Sequence, residues 1–262
     1  MVNKKIEDRR QLLEALLPLA RRAGEVILEV YATDFAVRGK TDASPVTEAD
    51  ERAEAVILAG LAALAPDIPA VSEEAAAAGT LPDAASGAAC FWLVDPLDGT
   101  KEFIRRNGEF TVNIALVEDG RPVLGVVLAP ALGRMFAGVA GLGAFQEDGG
   151  SRRPLACRNA PPGGLTVVAS RSHGDGADLD AFLSGRPVAG RVSVGSSLKF
   201  CLLAAGEADC YPRFGRTMEW DTAAGHAVLS AAGGRVRTLE GTEFLYGKPR
   251  WANPGFIAEG LT

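Results

Sequence analysis

Four apolar residues, Phe91 to Val94, run without interruption into a carboxylate, Asp95, and the chain then meets Pro96, Leu97, Asp98, Gly99 and Thr100. An apolar run ended by Pro and Gly predicts a buried strand that stops in a tight loop. Asp95 then stands at the strand end and Asp98 in the turn. Two carboxylates this close repel one another unless a cation lies between them. Oxygen ligands on a short loop suit a hard ion such as Mg²⁺, which takes one or two protein carboxylates plus water and a substrate phosphate. The same residues also read as a plain turn, with Asp95 as its cap and Asp98-Gly99 as a common turn dipeptide. The stretch alone leaves both readings open.

The rest of the composition narrows the class. A chain of 262 residues with 47% apolar and 23% charged residues can bury a sizeable core as one large domain or two lobes. Its net charge of −6, with Lys and Arg scattered, argues against a nucleic-acid polymer as partner, which needs a basic face. A small anionic substrate stays compatible, because a metal supplies local positive charge. Cys90, Cys157, Cys201 and Cys210 form no CxxC pair and have no His at ligand spacing. Free thiols in a reducing cytosol are expected, rather than disulfides or zinc. Residues 1–10 are polar, without a signal-peptide apolar core, and no stretch reaches the length of a membrane span. A cytoplasmic protein is expected, and peripheral attachment to the inner face of the membrane stays open.

Along the chain, a helix-period stripe from Leu12 to Val30 predicts a helix over 8–31, starting near or kinked at Pro18. Thr47-Glu48-Ala49-Asp50 has the capping-box pattern and opens a helix through about 64. Asp50 is thus a cap residue, a residue facing the metal loop, or both. A short strand at 68–71 runs into Glu73 and Glu74, which either meet a site or lie in solvent, and 75–89 reads as a surface loop. Strands are expected at 111–117, 122–129, 135–139 and 144–147 as an antiparallel meander. The polar, Gly- and Pro-rich segment 148–164 is the expected lobe boundary, dividing an α+β lobe at 1–155 from an α/β lobe at 156–262 that together form a single catalytic unit. In the second lobe, strands at 166–170, 192–194, 208–211 and 255–259 alternate with helices at 176–184, 196–206 and 220–232.

Two further stretches carry chemistry. Glu219-Trp220-Asp221-Thr222-Ala223-Ala224-Gly225 opens a small-residue helix, with Asp221 favoured by the helix dipole and Ala-Ala-Gly allowing close packing. Val194-Gly195-Ser196-Ser197-Leu198-Lys199 runs from a strand through Gly and two hydroxyls into a helix start. That pattern binds anions on free N–H groups, and it is equally a good helix start.

These blocks together resemble the lithium-sensitive, magnesium-dependent phosphatase superfamily of inositol monophosphatase and fructose-1,6-bisphosphatase. The signature lies in Asp95-Pro96-Leu97-Asp98-Gly99-Thr100 and Trp220-Asp221-Thr222-Ala223-Ala224-Gly225. Within it, Ser44 to Asp50, Val71-Ser72-Glu73-Glu74, Trp92 to Val117, Ser170-Arg171-Ser172-His173, Gly195 to Cys201 and Tyr211 to Gly215 are similar to the bacterial CysQ-type 3′(2′),5′-bisphosphate nucleotidases. The residues after 232 and the 75–89 segment carry little of the likeness.

The resemblance implies a layered α/β (α+β) sandwich of the inositol monophosphatase and sugar phosphatase fold, in two lobes with alternating helix and sheet layers. It implies two or three Mg²⁺ per site. Glu73, Asp95 and the Leu97 carbonyl would hold one, Asp95, Asp98 and Asp221 a second, and Glu73 with water a third. Gly99 and Thr100 N–H groups would bind the scissile phosphate, and Thr100, paired with Asp50, would orient the attacking water. Glu73, Leu97, Asp98 and Asp221 thereby count as substrate-binding as well, with Asp50, Thr100 and Glu73 catalytic. Ser196, Ser197, Lys199 and Arg213 or Arg216 would take a second phosphate, and His173 either contacts the nucleotide or is a polar turn residue. Residues 101–106 would close over the site, and His226 is expected to be structural.

The implied activity is hydrolysis of the 3′-phosphate of 3′-phosphoadenosine 5′-phosphate, a sulfate-assimilation by-product, to AMP and phosphate, by a monomer or homodimer. The 3′-phosphoadenylyl sulfate is a further expected substrate. Glu219, an acid just before Trp220, keeps inositol or another sugar phosphate as the alternative, because an acid in this neighbourhood contacts a sugar hydroxyl in inositol phosphatases. A noncatalytic module that binds nucleotide or metal would keep the pocket and lack the nucleophile machinery, whereas Asp50, Glu73, Asp95, Asp98, Thr100 and Asp221 are all present here.

Overall fold

A computed structural model describes residues 2–39, 45–82, 85, 87–170 and 176–261. Helices and sheets alternate in layers. The outermost is α1 (Val2–Tyr31) packed on α2 (Glu48–Leu64), joined through a short antiparallel ladder of β1 (Arg38–Gly39) and β2 (Pro45–Val46). Beneath them lies a seven-stranded sheet in sequential order. Its strands are β3 (Ala70–Ser72), β4 (Cys90–Asp98), β5 (Thr111–Glu118), β6 (Arg121–Ala129), β7 (Arg134–Val139), β8 (Gly143–Asp148) and β9 (Ser151–Leu155). Only the β3–β4 pair is parallel. The short helices α3 (Glu73–Ala78) and α4 (Thr100–Ile104) leave the ends of β3 and β4.

The other face of this sheet is covered by α6 (Leu198–Ala204) and α7 (Ala223–Ala231). A five-stranded sheet lies over them in the order β11 (Val188–Val194), β10 (Leu165–Ser170), β12 (Cys210–Arg213), β16 (Phe256–Glu259) and β14 (Arg235–Thr238). The helix α5 (Gly176–Leu183) closes its outer face. A two-residue ladder pairs β13 (Thr217–Met218) with β15 (Ala252–Asn253).

The layering follows from side-chain alternation. On β4, Trp92 and Val94 face the α1–α2 core, while Phe91 and Leu93 face the α6–α7 core. On β5, Ile114 and Leu116 face the first and Ala115 and Val117 the second. A sheet covered on both faces needs near-continuous apolar strands, which is why Phe91 to Val94 reads as an unbroken run. Small residues then set the spacing between α6 and α7. A Cβ on Gly225 would stand 2.6 Å from the Phe200 ring, so the expected Ala-Ala-Gly contact is made.

Several expected boundaries move. The first helix begins at Val2 and passes through Pro18. Pro18 and Glu14 both face solvent, so the carbonyl that loses its N–H partner is hydrated. The expected 75–89 loop begins as α3, and Ala85 is only 2% exposed, packed into the α6–α7 core. The polar segment after 148 contains β9, an edge strand whose Arg152 and Arg153 side chains face water. The tail after 232 supplies β14. The expected boundary near 155 falls between the two sheets, yet one core cluster draws on residues from Val71 to Ala258.

Candidate active site

The end of β4 is built by one irregularity. Asp95 pairs with Asn113 and Asp98 with Thr111, so three steps on β4 oppose two on β5. Pro96 has no N–H to give to the ladder, and a bulge accommodates it. Side chains alternate faces, so Asp95 and Asp98 would otherwise point apart. The extra residue re-phases the strand. Leu97 turns to the α1–α2 core with Trp92 and Val94, and Asp98 joins Asp95 on the cavity face. The Leu97 N–H donates to Asp95 Oδ1 at 3.0 Å and closes the bulge. Gly99 follows at φ 93° and starts α4, a left-handed step that favours glycine.

Neighbouring elements bring the other acids. β3 runs parallel to β4, with Ser72 opposite Val94, so the first residue of α3, Glu73, arrives beside Asp95. Asp221 arrives from the turn before α7, where the Met218 N–H donates to its Oδ2 at 2.8 Å. Carboxylate oxygens of Glu73, Asp95 and Asp221 lie within 4.8 Å of one another. All three, with Leu97, Asp98, Gly99 and Thr100, line a cavity of about 730 Å³. Asp98 stands at the side of this trio, held by Asn113 Nδ2 at 3.2 Å and by the Ser197 N–H.

Burial pushes the Asp221 carboxyl well above the ordinary carboxylate range, and the charges of Asp98 and Glu73 push the same way. Burial also raises Asp98, although Lys199 and Asn113 oppose it. Carboxylates pressed together in a half-buried cleft are the donor set of a hard divalent cation, and their oxygens are close enough for one ion to reach all three. The residues present therefore fit the metal that the fold family implies.

Beside the acids, Thr100 Oγ donates to Asp50 Oδ1 at 3.3 Å. Asp50 is 1% exposed, and its Oδ2 accepts from both the Thr47 N–H and Thr47 Oγ at 2.8 Å. One side chain thus caps α2 and anchors Thr100, so both readings of Asp50 hold together.

The cationic wall comes from β12 and from the turn into α6. Lys199 is 6% exposed, and its Nζ donates to Ser196 O at 2.5 Å and Val194 O at 3.3 Å. Burial lowers its pKa to about 8, with Asp98 opposing and Arg213 assisting. Arg213 is buried in the same wall, and its Nη2 donates to Arg216 O at 3.2 Å. Ser196 lines the cavity at φ 49°, and its buried Oγ has no hydrogen-bond partner.

Some expected residues are placed elsewhere. Ser197 does not line the cavity. Its Oγ accepts from Asn113 Nδ2 at 3.0 Å and donates to Asp221 O at 2.7 Å, bracing the metal loop against the α7 turn. Of residues 101–106, Lys101 and Glu102 line the cavity from α4, Phe103 is buried beneath them, and Arg106 Nη1 donates to Tyr31 O at 2.5 Å. Glu219 is fully buried and points away from the cavity. Its carboxylate accepts from the Gly247 N–H at 2.8 Å and the Lys248 N–H at 2.9 Å, and pairs with Lys248 Nζ at 2.7 Å. Both of its oxygens are engaged by the 247–248 turn, and Glu219 is not among the residues that line the cavity. His173 lies outside the described residues. His226 is structural, with Nδ1 3.0 Å from the Tyr246 hydroxyl and a pKa lowered to about 3 by burial.

Asn113, Arg250 and Trp251 are residues that sequence reasoning passed over. Asn113 carries a signal, as one amide inside the apolar strand Val112 to Val117. Arg250 and Trp251 carry none, since only folding brings the tail to the cavity.

Comparison with known proteins fits this geometry. Residues 8–261 match the family model described as the inositol monophosphatase family. The chain is 49% identical over 249 residues to a protein of Escherichia coli O157:H7 named 3′(2′),5′-bisphosphate nucleotidase CysQ, covering 94% of this chain and 98% of that one. It is 40% identical to the protein of the same name from Buchnera aphidicola, covering 96% of this chain and 95% of the other. The crystal structure of CysQ from Bacteroides thetaiotaomicron superposes with a TM-score of 0.82 at 39% identity, covering 95% of this chain and 97% of that one. An inositol monophosphatase from Anabaena superposes with a TM-score of 0.76 at 25% identity, covering 96% of this chain and 91% of that one. With its family model matched almost end to end and its acids gathered at one cavity, the chain belongs to the inositol monophosphatase family.

Proposed function

We propose that the protein is a Mg²⁺-dependent 3′(2′),5′-bisphosphate nucleotidase that hydrolyses the 3′-phosphate of 3′-phosphoadenosine 5′-phosphate to AMP and inorganic phosphate. The carrying observation is the convergence of Glu73, Asp95 and Asp221, their oxygens within 4.8 Å, on a cavity that also presents Thr100, Lys199 and Arg213. The relatives named as nucleotidases at 49% and 40% identity support the substrate class.

In this reading Glu73, Asp95, Asp221 and the Leu97 carbonyl, with Asp98, hold two or three Mg²⁺. Bound there, the ions neutralise phosphoryl charge and lower the pKa of water, so that no strong protein base is required. The N–H groups of Gly99 and Thr100, free at the start of α4, hold the oxygens of the reacting phosphate. Thr100 donates a hydrogen bond to Asp50, which leaves its oxygen lone pairs to accept from a water and fix that water in line with the phosphorus. The water oxygen bonds to phosphorus as the bond to the 3′-oxygen breaks, and the proton released by the water passes to that leaving oxygen. Lys199, Ser196 and Arg213 take the phosphate that is not cleaved.

The two halves, 1–155 and 156–262, act as one unit in this proposal, because Asp95 and Asp221 come from opposite sides of that boundary. Four free cysteines support a reducing, cytoplasmic setting. Among the described residues no helix is long and apolar enough to cross a membrane.

The test is phosphate release in Mg²⁺ from 3′-phosphoadenosine 5′-phosphate, inositol 1-phosphate and fructose 1,6-bisphosphate, side by side with and without Li⁺. A strong preference for the first is expected. Preference for either sugar phosphate would overturn the substrate assignment, and full turnover by Asp95→Asn would overturn the metal assignment.

A further inference from the structure

The turn at the last edge of the cavity holds two adjacent residues in strained backbone conformations. Pro249 is followed by Arg250 at φ 61° and Trp251 at φ 56°. Two successive non-glycine residues in the left-handed region are costly, and such strain persists only where the surroundings over-determine it. Here they do. The Trp251 N–H donates to Lys248 O at 3.0 Å, and Trp251 O accepts from the Glu219 N–H at 2.8 Å. The β13–β15 ladder follows at once, and the Trp251 ring packs edge-on against Phe91 at 5.4 Å. The turn is therefore fastened to the residue that precedes Trp220 and Asp221.

Both strained residues line the cavity. Trp251 is half-buried against the core, whereas the Arg250 side chain is exposed. Among the described residues no carboxylate pairs with the Arg250 guanidinium. The fastened turn sets this guanidinium at the cavity wall. Of the other cations lining the cavity, Lys199 and Arg213 are partly committed. Lys199 spends two donors on carbonyls beside Asp98, and Arg213 gives one nitrogen to Arg216 O. A guanidinium with all its donors available is a fork for the oxygens of a phosphate.

We propose that Arg250, presented by the strained Pro249–Trp251 turn, is a specificity residue that binds the substrate phosphate not being cleaved, the 5′-phosphate of the nucleotide. The inference rests on the nucleotidase reading above. It requires Arg250 to act on bisphosphate nucleotides and to be dispensable for esters that lack the second phosphate.

The experiment compares wild type, Arg250→Ala and Arg250→Gly on 3′-phosphoadenosine 5′-phosphate and on adenosine 3′-monophosphate, which keeps the scissile group and loses the other. Loss of a charge-assisted phosphate contact raises KM for the bisphosphate by about tenfold or more in both variants, with kcat and the monophosphate parameters unchanged within about twofold. Arg250→Gly relieves the left-handed strain, so its melting temperature stays level or rises while affinity falls. A residue kept for structure would show the reverse. Equal effects on the two substrates, no change in KM, or a lowered melting temperature in Arg250→Gly would overturn the proposal. Calorimetric titration of AMP into Mg²⁺-loaded protein reads the same contact without turnover, and about tenfold weaker binding is expected in both variants. Wild type that binds AMP through Arg250 yet cleaves neither nucleotide would fail the nucleotidase reading alone; wild type that cleaves both with an indifferent Arg250 would fail this inference alone.

Discussion

Replacing Glu219 by Ala tests whether this acid is a brace or a substrate contact. Its side chain is fully buried, and its two oxygens satisfy the Gly247 and Lys248 N–H groups, with Lys248 Nζ as a third partner. Truncation leaves the two N–H donors without an acceptor, at about 1–3 kcal/mol each. The ammonium of Lys248 is 27% exposed and rehydrates, so it adds no more than about 1 kcal/mol. The expected loss is about 3–5 kcal/mol, in line with breaking a buried charge pair. Glu219→Gln keeps one acceptor and turns an amide donor toward the other N–H groups, so it falls between wild type and Ala. Urea denaturation followed by tryptophan fluorescence reads this directly, and for a chain of this size the loss moves the melting temperature down by about 6–20 °C. The surviving folded fraction keeps its KM for substrate. A loss below about 1 kcal/mol at unchanged denaturant slope, or a raised KM in a stable Glu219→Gln, would refute the brace and restore a substrate-facing acid.

Other outcomes follow from the same geometry. Asp221 has its carboxyl raised well above the ordinary range, so in metal-free protein its contribution to stability is full at low pH and lost as pH rises toward that raised value. Asp221→Asn should therefore raise the melting temperature in EDTA at neutral pH and abolish the rise that Mg²⁺ gives wild type; a destabilised, still Mg²⁺-responsive variant would remove Asp221 from the metal set. Asp50→Ala removes the α2 cap and the Thr100 acceptor at once, so it should cost about 1–2 kcal/mol in denaturation and about a hundredfold in kcat with little change in KM. Unaltered kcat would separate Thr100 from the reaction. His226 is held neutral with a pKa lowered to about 3, so its contribution is present above pH 6.5 and is lost as pH falls through that window. Acid unfolding profiles of wild type and His226→Gln should differ between those limits and run parallel above pH 7.

Much of the architecture is legible in local residue patterns. The unbroken Phe91 to Val94 run, the capping box at Thr47 to Asp50 and the small residues after Asp221 each state a local physical requirement, and each is met. The readings that failed share a cause. The 75–89 segment lacks periodicity because alanines and glycines report burial poorly, yet α3 forms there and Ala85 is sealed in the core. Glu219 and Ser197 carry polar groups beside signature residues, which resembles participation in the site. Their actual partners, the 247–248 turn and the Asn113 amide, are distant in sequence and invisible until the chain is folded.

The sequence by itself determined the chemistry: which acids are present, that a Pro–Gly loop would hold two of them at a strand end, and that the chain could build a layered core. Those are properties of short stretches, decided by propensity, alternation and turn geometry. Only the tertiary structure decided which acids meet. The β4 bulge turns Asp98 to the face of Asp95, the parallel β3–β4 pair delivers Glu73, and packing of α7 on the sheet brings Asp221 from more than a hundred residues away. It also decided that the tail carrying Arg250 returns to the same cavity. The reason is that carboxylates and cations gain nothing locally from converging. Burial of the surrounding apolar surface holds them together, and that energy is spread over the whole core.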